Sequence, residues 1–371
     1  MARSSSNYLF NSNHRVSRDL NDIANDIRSD AKLYFLITAV TLCTFVFSSL
    51  YGYTGKLSFF SYMRALNVLV PISLTLAGSG YFFVLLLRRE KSPIQCYVNK
   101  IKLLYQYRAR VISSFVLLTA ISIFMSAFSS FKGLIPIIHP FQYDLLFHQL
   151  DVWLFAGNEP WTVVHTLLDS PYITFALNFC YNLWFFLMWG MVCYFLLSSK
   201  SPLRTRFFLS WLLSWTLLGM ILAMCLSSAG PVFLSKLGYD NHDYDLLLQL
   251  LQQQDAWLTE HNSWGLFALE TQQDLWLAYS EGKDMLGSGI SAMPSMHVSM
   301  AVLMALTMNA INRTLGIVFW LYALVIFIGS ISLGWHYALD GIVSAPLTWL
   351  IWWFAGKISH SNTQPKRLAN A

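Results

Sequence analysis

Eight apolar runs, separated by polar segments, constrain this chain more than any other feature. They cover residues 32–51, 66–87, 111–131, 172–197, 207–227, 295–311, 315–334 and 338–356. A helix needs about 20 apolar residues to cross a bilayer, and most of these runs reach that length; the sixth is short and begins next to a proline. Only 12% of the 371 residues are charged, about half the share usual in a soluble domain. That excludes a disordered chain and argues against a soluble enzyme. The expected fold is an all-α polytopic membrane protein with about eight transmembrane helices.

Basic residues give the orientation, because positively charged loops stay cytoplasmic. With the N-terminus inside, 19 of the 24 Lys and Arg residues fall on the inner side, leaving Lys56, Arg64, Lys132, Lys236 and Lys283 outside. This asymmetry accounts for the net charge of +5 without nucleic-acid binding. Both termini are therefore expected in the cytoplasm. The organisation expected is a cytoplasmic amphipathic segment over 1–31, N-terminal spans over 32–131, a catalytic membrane domain over 132–356 and a cytoplasmic tail over 357–371. Leu20, Ile23 and Ile27, with Ser17 as a cap, predict an amphipathic helix on the inner surface. No cleavable signal peptide is expected. The five cysteines form no CxxC pair, so neither a metal framework nor a disulfide framework is expected.

Two long outer segments, 132–171 and 228–294, are rich in proline and tryptophan and predict short helices over the outer face. Two polar clusters fall at that same face. Met293-Pro294-Ser295-Met296-His297 opens the sixth run. There Pro294 suits the first turn of a helix, the Ser295 hydroxyl and the free N–H groups form an anion site, and His297 stands beside them. Gly334-Trp335-His336-Tyr337-Ala338-Leu339-Asp340 lies between the last two runs. His336 and Asp340 are four residues apart, on one face if helical, so the carboxylate can orient the imidazole and leave its other nitrogen as nucleophile or base. Taken singly, each cluster also has a plain structural reading: a capped helix start with a satisfied histidine, and a buried pair.

Pro294-Ser295-x-His297 followed by His336-x-x-x-Asp340 resembles the second and third signature motifs of the type-2 phosphatidic acid phosphatase superfamily. Asp144, Asp151, Tyr181-Asn182 and Ser228-Ala229-Gly230-Pro231 extend the likeness towards the branch containing inositol phosphorylceramide synthase. The resemblance covers roughly 140–356 and implies a six-helix core with extra N-terminal spans. It implies that His336 attacks phosphorus, Asp340 orients it, and His297 exchanges the proton of the leaving and accepting oxygens. Ser295 and the Met296 N–H would hold phosphoryl oxygens, with no metal or other cofactor.

The family's first motif, a lysine followed seven residues later by Arg-Pro, is not found at Lys236, where Asp243 follows instead. The arginine six residues before the second histidine is replaced by Ser330. Lys236 is the candidate phosphate cation, with a solvated loop lysine as the alternative; Tyr181, Asn182 and Pro231 are candidate pocket residues. Arg204 and Arg206 fall on the wrong side. His139, His148, His165, His242 and His261 read as surface histidines, and Asn182-Leu183-Trp184-Phe185-Phe186 as helix packing.

The expected function is a lipid phosphotransferase acting at a periplasmic or luminal face, with absent retention signals favouring a bacterial inner membrane. Its partners would be a phospholipid or lipid phosphate donor and a hydroxyl acceptor. The alternatives are a lipid phosphate phosphatase with water as acceptor, or a transporter with a His/Asp relay.

Overall fold

A computed structural model describes residues 19–239, 241–282 and 289–360. Ser17 and most of the C-terminal tail lie outside the described residues. The described residues are mostly helical, without strands, as a chain in lipid requires: a helix satisfies all its backbone polar groups internally.

Seven helices are long and apolar enough to cross a membrane. They are α1 (Ala31–Leu50), α2 (Ser61–Leu87), α4 (Arg108–Ile138), α7 (Pro171–Leu197), α8 (Pro202–Thr216, continuing to Cys225), α12 (Arg313–Ser332) and α13 (Ala338–His360). The eighth expected span is α11 (Met296–Ile311), an apolar helix of 16 residues. At 1.5 Å per residue it covers about 24 Å, short of the roughly 30 Å hydrocarbon thickness.

The chain divides into two compact units. The first comprises Met1–Cys43, Ser58–Ala127 and Phe195–Lys200. Residues 19–29 form the expected helix. Its Asp19 pairs with Arg108, its Asp26 accepts from Ser113, and Asp30 just beyond it pairs with Lys200. Polar ties thus join the N-terminal helix to its unit at the basic end of α4. Helix α3 (Pro93–Gln106) is linked to α2 by the Tyr97 hydroxyl, which donates to the Gly78 carbonyl at 2.6 Å.

The second unit, Thr44–Leu57, Phe128–Tyr194 and Ser201–Ala371, holds both polar clusters. Four short helices form at the end of the unit that carries His297 and His336: α5 (Asp144–Leu154), α6 (Pro160–Leu167), α9 (Asp243–Glu260) and α10 (Phe267–Ser280). They are tied down by single side chains. His165 of α6 reaches the Ser332 carbonyl at 3.0 Å, Gln272 of α10 donates to the Leu333 carbonyl at 2.8 Å, and Asn178 of α7 accepts from the Ala268 N–H at 3.1 Å. Helix α8 contains a π-helical turn at Leu217–Leu222. There Gly219 leaves room for Phe128 and Met296; a Cβ would sit 2.8 Å from the Phe128 ring and 3.3 Å from the Met296 sulfur.

Candidate active site

Three loops meet at this end, and two buried acids hold two of them. Asp144, fully buried, accepts from the Ala229 N–H at 2.9 Å, the Gly230 N–H at 2.8 Å and the Tyr337 hydroxyl at 3.2 Å. Asp151, two turns along α5 and equally buried, accepts from the Ala338 N–H at 2.6 Å and the Leu339 N–H at 2.9 Å. Burial pushes Asp144 up to about 6 and Asp151 up to about 7, against the N–H groups that favour their charged forms.

The loop after α8 packs directly on the loop before α13. Gly230 has φ +108°, and a Cβ there would lie 3.0 Å from the Trp335 carbonyl. Gly334, at φ +69°, has no space for a Cβ against Val232. Both positions need glycine, for backbone conformation and for close approach. The third loop joins through the Ala292 N–H, which donates to the Ser228 carbonyl at 3.0 Å, and the Ser295 N–H, which donates to the Asp340 carbonyl at 3.4 Å.

On this frame His336 Nδ1 lies 3.1 Å from Asp340 Oδ2. The same oxygen accepts the Tyr337 N–H at 3.1 Å, so Asp340 caps its own helix as it holds the imidazole. His336 stands in the turn before α13 rather than on the helix face its spacing suggested; the backbone returns it to Asp340 by donating its N–H to the Ser330 carbonyl. With Nδ1–H committed to the carboxylate, a neutral ring presents a bare Nε2. The His297 ring centroid lies 6.0 Å from that of His336. His297 is packed between Tyr181 and Trp184, each 4.3 Å away by ring centroid, and its carbonyl accepts the Trp184 indole N–H at 3.0 Å. Three buried polar atoms around the histidines have no hydrogen-bond partner: the Tyr181 hydroxyl, the Trp335 indole nitrogen and Asp340 Oδ1.

Pro294 is not in the first helical turn. The Ser295 hydroxyl accepts the Val298 N–H at 3.4 Å, which makes Ser295 the cap and Met296 the first helical residue. Pro294 therefore precedes the cap. The N–H groups of Met296 and His297 lie ahead of any carbonyl their own helix could offer.

Among the other candidates, Tyr181 is at the site and Asn182 is not. Asn182 is exposed and donates back to the Asn178 carbonyl, since one residue along a helix turns the side chain by about 100°. Pro231 is buried in the loop facing Gly334. Lys236 is not brought to the histidines: it is exposed, over the rings of Phe233 and Trp276, with Asp245 nearby. Trp184, read as packing, touches His297. His242 and His261 are exposed as expected, whereas His148 and His165 are buried, because α5 and α6 lie beneath other elements.

Among the described residues, the cation whose charge reaches His297 is Lys132. Helix α4 runs to Ile138, beyond the expected end of the third span at residue 131 and into the expected outer segment. Lys132 therefore stands on the helix, one turn beyond Phe128 and on the same face. Its charge acts on the His297 ring, and among the described residues no acid pairs with it. A signal was present in the sequence: Lys132 is followed seven residues later by His139-Pro140, the spacing of the family's first motif with histidine in place of arginine.

The sequence model of the PAP2 superfamily matches residues 145–354, more than half of the chain. The chain belongs to the PAP2 superfamily. Membership points to lipid phosphatase or phosphotransferase chemistry on a lipid phosphate. No curated protein and no solved structure gives a significant match. The matched region contains Asp151, His297, His336 and Asp340; Lys132 and Asp144 precede it.

Proposed function

We propose that this PAP2 superfamily member is a lipid phosphotransferase of the kind resembling inositol phosphorylceramide synthase, working through a phosphohistidine. The observation that carries the reading is the His336–Asp340 pair, which engages Nδ1 and leaves Nε2 outside it, with the His297 ring 6.0 Å away by centroid. In the first step the Nε2 lone pair forms a bond to phosphorus and the bond from phosphorus to the leaving oxygen breaks. That oxygen takes a proton from His297. In the second step His297 removes the proton of the acceptor hydroxyl, its oxygen bonds to phosphorus, and the N–P bond breaks. Asp340 stabilises the positive charge on the His336 ring.

The phosphoryl oxygens would sit at the start of α11, on the Met296 and His297 N–H groups and near the Ser295 hydroxyl. Lys132 would supply the charge that the first motif supplies elsewhere in the family, in place of Lys236. The site would face the periplasm or a lumen, with both termini cytoplasmic and the donor lipid's tails left in the bilayer. Four short helices around the site support transfer to an alcohol over hydrolysis, because covering a site excludes competing water.

The test uses purified protein in detergent and radiolabelled phospholipids. Both released phosphate and label on added alcohols are followed, with His336→Ala as control. Label appearing on the alcohol in a His336-dependent manner is the expected result. His336-dependent free phosphate alone would make the protein a phosphatase, and equal signals from a folded mutant would remove the phosphohistidine.

A further inference from the structure

A second cluster of chemically capable groups lies at the same end of the bundle, outside the reacting groups. His148 of α5, Glu159 at the residue before α6, and Asp243 at the start of α9 each place one donor atom within 4.8 Å of the other two. His148 Nδ1 is 3.6 Å from Glu159 Oε2, and His148 Nε2 is 3.3 Å from Asp243 Oδ2. His148 is only 6% exposed, and neither its Nδ1 nor Glu159 Oε2 has a hydrogen-bond partner. Glu159 thus approaches Nδ1 and Asp243 approaches Nε2 of one imidazole, and no Lys or Arg pairs with either carboxylate among the described residues.

We propose that His148, Glu159 and Asp243 bind a divalent transition ion, with Zn2+ as the best match. Zn2+ takes imidazole nitrogen and Asp or Glu oxygen as ligands, whereas Ca2+ and Mg2+ favour sites made of oxygen alone. Bonds of about 2.0–2.1 Å in a tetrahedron put the donors roughly 3.3 Å apart. On Nδ1 the His148–Glu159 separation is close to that already, and Asp243, which rests against the other ring nitrogen but is half exposed on its side chain, would swing to the Nδ1 side to complete the set. Supporting contacts are in place: the Tyr244 hydroxyl bonds the Glu159 carboxylate, and the Asn241 amide lies 3.0 Å from both His148 Nε2 and Asp243 Oδ2.

The ion would do structural work. It would clamp α9 to α5, the helix whose Asp144 and Asp151 hold the catalytic loops. No atom of the clamp is needed for phosphoryl transfer, so the inference does not depend on the reaction proposed above.

The test uses the full-length protein in detergent, stripped with a chelator and titrated with Zn2+ alone. Metal content after desalting and the thermal midpoint with and without Zn2+ are the readouts. Wild type should retain one equivalent and melt at a higher temperature with it. His148→Gln and Asp243→Asn should each weaken binding at least tenfold and lose the thermal shift, whereas His242→Gln and His261→Gln should behave as wild type. Asp243 is exposed enough that Asp243→Asn keeps the fold should His148→Gln fail to. No retained Zn2+ in wild type, or equal retention in Asp243→Asn and His261→Gln, would overturn the proposal.

Discussion

Two helices begin at the site, and their starts are treated in opposite ways. The start of α13 is closed by acids: Asp151 takes the Ala338 and Leu339 N–H groups, and Asp340 takes that of Tyr337. The start of α11 is capped by the Ser295 hydroxyl alone, which takes the Val298 N–H. Every helix N-terminus attracts negative charge. At α13 the protein supplies that charge itself and gains a rigid mount for His336. At α11 it supplies none and places Lys132 nearby instead, which suits an anion arriving from outside.

Removing the group mounted on the closed start should have the largest effect. His336→Ala is expected to reduce phosphate transfer by about 10⁴-fold or more, with the fold retained by circular dichroism. Next comes the mount itself. Asp340→Asn should cost roughly 10³–10⁴-fold in turnover, because the amide no longer fixes the tautomer or stabilises the imidazolium; turnover at saturating lipid is the measurement.

Exchanging the character of the two starts sharpens the contrast. Ser295→Asp retains a good capping oxygen, so the melting temperature should change little, yet a carboxylate at the open start should repel the lipid phosphate. Transfer is expected to fall about 10²–10³-fold. If it stays normal, α11 does not hold the phosphate. Lys132→Met should weaken the apparent affinity for the phosphate donor by about 10–100-fold, while Lys236→Met leaves it unchanged; steady-state KM for the two variants separates them.

The smallest effect is one of stability. Asp151→Ala leaves two helix N–H groups buried without acceptors and should cost about 1–3 kcal/mol, read from thermal unfolding in detergent. This group also carries a pH signature. Its carboxyl is raised to about 7 in the fold from an ordinary 3.8, so the native chain holds a proton that the unfolded chain has released. Its contribution to stability is therefore present at low pH and lost as pH rises from about 4 through 7. Asp151→Asn should flatten that part of the stability–pH curve.

Much of the fold was legible because helices in lipid are local objects. Length and apolar content located seven spanning helices, but the sixth run forms a helix too short to cross and α4 continues past its expected end through Lys132 and Pro136. The two motifs were legible for a similar reason: Ser295 to His297 and His336 to Asp340 each act within one turn, so spacing reports geometry. What spacing could not report was which long-range neighbours those turns acquire. Asp144 serves Gly230, 86 residues away, and Asp151 serves Ala338, 187 residues away.

The sequence by itself determined a helical membrane protein and the two local motifs, Ser295 to His297 and His336 to Asp340, since periodicity and backbone hydrogen bonding operate over three or four residues. Only the tertiary structure decided that Tyr181 and not Asn182 meets His297, that the charge of Lys132 and not of Lys236 reaches His297, and that His148 joins Glu159 and Asp243. Those choices depend on how distant helices pack and rotate against one another, and no pattern within a single helix encodes that.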